Sequence, residues 1–112
     1  MKTAAFLDEV IFDDNKVAIK VLLETGFTKE IRIAMKAGQE MKEHKAPLPI
    51  VVQVVQGDID FGVNGERISL SNGDMIALEP SVPHDLMAKV DSVVRLTLSK
   101  GDHVDRVQKV VN

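Results

Sequence analysis

The chain has 112 residues, 45% of them apolar and 28% charged, with a net charge of −3 at pH 7. That length holds one compact domain with a single core, and the acidic balance with scattered lysines leaves no basic footprint for nucleic acid. Cysteine is absent, which excludes disulfides, thiolate-bound zinc and thiol catalysis, and the lack of Tyr and Trp argues against an aromatic cage or sugar-stacking platform.

Asp8 and Glu9 interrupt the first apolar stretch before a signal-peptide core forms. No apolar run approaches the roughly 20 residues that span a bilayer, so a cytoplasmic protein without membrane contact is expected. Segment 4–12 reads equally as a short helix or an extra edge strand. Beyond it, β-rich runs at 16–23, 28–36, 40–44, 50–56, 58–63, 67–70, 74–78, 84–90 and 92–99 are separated by turn residues. This divides the single domain into an N-terminal extension (1–15), a barrel core (about 16–99) and a tail (100–112).

In the second run Ile31, Ile33 and Met35 alternate with Arg32, Ala34 and Lys36, the pattern of a half-buried strand. The fourth, Ile50-Val51-Val52-Gln53-Val54-Val55, is apolar on both faces except at Gln53, so it is expected to be central and covered on both sides. If part of that surface is exposed on the monomer, it marks a subunit interface, and a homodimer is expected. Asn64-Gly65 has the residues of a type I′ turn, whose two central positions need positive φ; Asn72-Gly73 reads as a similar turn. In the tail, Val104, Val107 and Val110 recur every third residue among charges, consistent with a short helix or with pairing to a neighbouring strand. Strands at this spacing, broken by such turns, form an antiparallel sandwich or barrel.

Two glycine–histidine units stand in this framework: Gly38-(x)5-His44, and Gly73-(x)10-His84 within GDMIALEPSVPH. On these residues the chain resembles the cupins, specifically the small single-domain microbial type. The resemblance implies an all-β jelly-roll barrel, also called a double-stranded β-helix. In the first family motif Gly38, His44 and Gly57 match, while Ala46 stands at the second histidine and Ile50 at the glutamate. In the second, Gly73 and His84 match, Glu79 stands at the proline, Ser81 at the glycine and Ala88 at the asparagine.

The resemblance implies that His44 and His84 point into the barrel mouth, where the family binds a divalent transition metal (Mn, Fe, Ni, Cu or Zn). Two imidazoles are fewer than the roughly three protein ligands a catalytic site needs; Glu43, Glu79, Asp85 and His103 are the other side chains that could complete it. With Ala46 and Ile50 at vacated ligand positions, the mouth is expected to be less polar than usual. It would hold a small, partly apolar molecule anchored by the histidines and lined by Met35, Ile50, Val52, Met75 and Met87. The resulting function is a small-molecule-binding cupin with at most a weakly held metal at His44 and His84. The alternatives are a metal-dependent oxygenase or isomerase with a reduced site, and a non-catalytic scaffold or regulatory subunit. Ser81 near His84 lacks an aspartate and an oxyanion donor, so serine hydrolysis is not indicated.

Overall fold

The computed structural model describes residues 1–111; Asn112, which ends the tail considered above, lies outside the described residues. The strands are β1 (Ala18–Glu24), β2 (Thr28–Met35), β3 (Glu40–His44), β4 (Ile50–Gln56), β5 (Asp58–Val63), β6 (Glu66–Ser71), β7 (Met75–Leu78), β8 (His84–Ala88) and β9 (Ser92–Ser99), followed by α1 (Val104–Val111). They form a five-stranded sheet in the order β1-β2-β9-β4-β7 and a four-stranded sheet in the order β3-β8-β5-β6. Every pairing is antiparallel. The all-β expectation holds, and the tail resolves as a helix.

The core lies between the two sheets because strand alternation turns one face of each inward. Ile31, Ile33, Val52 and Val54 of the five-stranded sheet meet Met41, Ile59, Phe61 and Leu86 of the other in one buried cluster. Each fully buried side chain of this size contributes about 1.5–3 kcal/mol.

Two expectations about sheet faces are corrected. β2 is buried on both faces, not half-buried, because the N-terminal segment packs over its outward side. The Arg32 guanidinium donates to the Asp8 carbonyl at 2.9 Å, and Arg95 lies over the Phe6 ring at 5.6 Å. Residues 4–12 that make this cover form neither helix nor strand. Conversely, β4 is covered on one side only: Ile50, Val52 and Val54 are buried, whereas Val51, Gln53 and Val55 on its outer face remain half-exposed.

The turns show the local chemistry. Asn64 and Gly65 have φ of 53° and 75°, and they join β5 to β6 as the type I′ signature predicts. Asn72-Gly73 differs, since Gly73 alone has positive φ (89°) while the Asn72 side-chain oxygen accepts from the Gly57 amide at 2.6 Å. A positive φ confined to the second central residue is the pattern of a type II turn. Gly57 itself adopts a φ of 117°, and a Cβ there would run into the Ser92 side chain. This matched glycine is therefore required twice over, by backbone conformation and by space.

Candidate functional site

The register of β3 and β8 builds the site. His44 and His84 are direct cross-strand partners, so their side chains leave the same face of the sheet. Their ring centroids lie 4.3 Å apart with the planes tilted by 59°. Beneath them Phe61 of β5, fully buried, stacks on His84 at 5.7 Å with the planes 9° apart. Pro83 precedes His84 and fixes the chain as it enters β8.

Both rings have a defined proton arrangement. His44 Nδ1 donates to the Lys42 carbonyl at 2.6 Å, and His84 Nδ1 donates to the Val82 carbonyl at 3.0 Å. A carbonyl only accepts, so each neutral ring carries its proton on Nδ1 and keeps a lone pair on Nε2. Burial depresses the pKa of both imidazoles below the ordinary histidine value; the carbonyl partners oppose this and the Arg106 charge adds to it. Both rings are accordingly neutral at pH 7.

The histidines line a cavity of about 20 Å³ together with Ile50, Val52, Met41, Arg106 and Val107. That volume admits about one water-sized occupant. α1 forms its cover: Val107 is buried in the core, and Arg106 lines the cavity. The Arg106 guanidinium is gripped by Asp102, which is only 2% exposed, through Nε–Oδ1 at 3.0 Å and Nη2–Oδ2 at 2.8 Å. Lys29 of β2 donates to the Asp102 carbonyl at 2.7 Å and ties the start of the helix to the five-stranded sheet.

Four of the residues expected at the site, His44, His84, Ile50 and Val52, line this cavity. Met35, Met75 and Met87 do not. Met75 is 61% exposed because its register partner is Gln53, which turns it to the outer face. Met87 lies between the inward-facing Leu86 and Ala88 and faces out, half-buried. Met35 is fully buried in the core but away from the cavity, where Met41 takes the methionine position. Arg106 and Val107 were not anticipated. Their signal is the three-residue valine spacing of the tail, which leaves a short helix or strand pairing open and does not say where the segment docks.

None of the four candidate extra metal ligands joins the pair. Glu43, Glu79 and His103 are exposed, and Asp85 faces outward to Arg67 Nη1 at 2.6 Å. Among the described residues no group of three or more His, Asp or Glu side chains is placed to hold a metal ion. Two lone pairs beside a guanidinium do not fit a tightly held divalent ion.

No family profile and no curated protein matches the chain. Solved structures do. An RmlC-like cupin from Desulfovibrio desulfuricans is 27% identical, with a TM-score of 0.79 over 88% of this chain and 96% of that one. An RmlC-like cupin from Shewanella frigidimarina is 21% identical, with a TM-score of 0.73 over 88% of this chain and 91% of the other. A cupin superfamily protein from Desulfitobacterium hafniense is 12% identical, with a TM-score of 0.74 over 88% and 98%. No described helix is long and apolar enough to cross a membrane.

Proposed function

The chain is a small cupin-barrel protein, and from that premise we propose that its barrel mouth binds a small molecule anchored by His44 and His84. The observation that carries this reading is the pair of neutral imidazoles, each held by a backbone carbonyl and each with a free Nε2 lone pair, in an otherwise largely apolar cavity. Such a few-polar-groups-in-an-apolar-wall composition is that of ligand pockets.

The cavity is far smaller than the roughly 300 Å³ at which drug-sized pockets begin. Entry of more than a ligand's smallest end therefore requires α1 to move. The helix is suited to this, since Val107 is its one fully buried side chain. A second reading, a divalent metal held weakly by the two imidazoles, is favoured by the same Nε2 lone pairs, which are the form in which histidine coordinates metals.

The test is a metabolite screen by ligand-observed NMR on the full chain and on His44→Ala. Binding that saturates in the wild type and is lost in the variant, whose fold is checked by circular dichroism, supports the reading. Binding indifferent to His44 removes it. A homodimer through the half-exposed outer face of β4 and β7, where Val51, Val55 and Met75 stand, belongs to the same proposal, and light scattering decides it.

A further inference from the structure

The cavity's polarity specifies more than its location. Its polar side chains are His44, His84 and Arg106, and the remaining wall is aliphatic or thioether: Ile33, Met41, Ile50, Val52, Leu86, Leu96 and Val107. The two imidazole protons are committed to the Lys42 and Val82 carbonyls, so toward a ligand both rings accept and neither donates. Arg106 has the opposite character. Nε and one hydrogen of Nη2 are committed to Asp102, while Nη1 has no hydrogen-bond partner among the described residues and remains a donor.

Resting on the small-molecule reading above, we infer that the mouth selects a neutral head group that donates two hydrogens and accepts one, of which a primary carboxamide is the smallest form. The two N–H bonds of the amide meet the two Nε2 lone pairs, and its carbonyl oxygen meets the Arg106 donor. A carboxylate of the same shape presents only acceptors. It would set its charge against two imidazole lone pairs and compete with Asp102 for the guanidinium. A dication meets the lone pairs but also the guanidinium charge, and lacks a third ligand. The amide meets both imidazole lone pairs and gives Arg106 Nη1 an acceptor, and unmatched buried groups are what such a site penalises most.

The present cavity takes only the tip of the head group, and the rest needs an outward shift of α1 that keeps Arg106, anchored by Asp102 ahead of the helix, at the wall.

The probes are acetamide, acetate and acetone, each of four heavy atoms and differing in donors and charge. Each is titrated into the full chain at pH 7.5, and the His44 and His84 Nε2 and Arg106 Nε resonances are followed by nitrogen-15 NMR. The expected result is saturable shifts at both imidazole nitrogens with acetamide, and binding weaker by about tenfold for acetone, which has neither donor. Acetate should bind no better than acetone. Arg106→Met should weaken acetamide while leaving the two imidazole shifts in place. This comparison needs the variant only as a supplement, because the three probes already discriminate on the wild type. Equal or tighter binding of acetate overturns the inference in favour of an anion site. Indifference between acetamide and acetone overturns the donor requirement. If none of the probes binds while the screen above yields a His44-dependent ligand, the head-group assignment fails and the site stands; if that screen also yields nothing dependent on His44, both fail.

Discussion

Asp102 and Arg106, one helical turn apart, form a two-bonded ion pair at the foot of α1, with Nε–Oδ1 at 3.0 Å and Nη2–Oδ2 at 2.8 Å. Because Asp102 is buried and Arg106 lines the cavity between the histidines and α1, this pair sets both where the helix docks and what the cavity presents. Asp102→Asn keeps the shape and removes the charge. We expect a loss of about 1–3 kcal/mol of local stability, expressed as faster amide exchange in α1 with β9 unaffected. An unchanged exchange pattern in α1 would mean that Val107 alone holds the helix.

The same carboxylate gives the fold an acid limit. Burial works against the charge on Asp102, but hydrogen bonds from Arg106 and the His103 amide outweigh it and hold its pKa below the ordinary value. Glu30 behaves alike: burial opposes its charge, and hydrogen bonds from Thr97 and Arg95 overcome that. With the folded pKa lowered, the unfolded chain takes up these protons first as pH falls. The stabilisation is complete above about pH 5 and drains away as pH drops through about 4 and below. Urea denaturation at pH 6 and pH 3.5 should show a smaller difference for Asp102→Asn than for the wild type. An equal difference would assign the acid sensitivity to other groups.

Gly57 tests the fold's tightest point. Its φ of 117° and the collision that a Cβ would have with Ser92 act together. Gly57→Ala should destabilise the barrel by about 2–4 kcal/mol, read as a lowered denaturation midpoint with unchanged slope.

Ser81 runs the other way. It occupies a glycine position of the second motif and keeps a glycine-like φ of 67°, with its amide donating to the Ala46 carbonyl at 2.7 Å. Relief of about 1–2 kcal/mol of left-handed strain, less about 0.5–1 kcal/mol for glycine's unfolded-chain entropy, leaves Ser81→Gly about 0.5–1 kcal/mol more stable. A melting temperature that does not rise would show that the serine side chain compensates for the strain.

The fold was legible because its punctuation is local. Asn64-Gly65 fixes its own turn, and the alternation at 31–36 and the continuous apolar run at 50–55 identify strands without knowledge of their neighbours. The histidine pair was legible through the spacing of the glycine–histidine units. What lay hidden depends on register and docking. Met75 looks like a pocket residue until its pairing with Gln53 turns it outward, and Arg106 looks like a surface charge until α1 closes on the barrel. Gly57 matched a motif, but the close approach of Ser92, distant in sequence, explains why no larger residue fits.

The central claim is that His44 and His84 anchor a ligand in a mouth that does not hold a metal tightly. Elemental mass spectrometry on tag-free full-length protein, beside the His44→Ala/His84→Ala double variant, tests it most directly. Far less than one equivalent of any divalent transition metal, at the same level in both proteins, is the result this account expects. Near-stoichiometric Mn, Fe, Ni, Cu or Zn that disappears in the variant would contradict it and make the two-histidine mouth a metal centre.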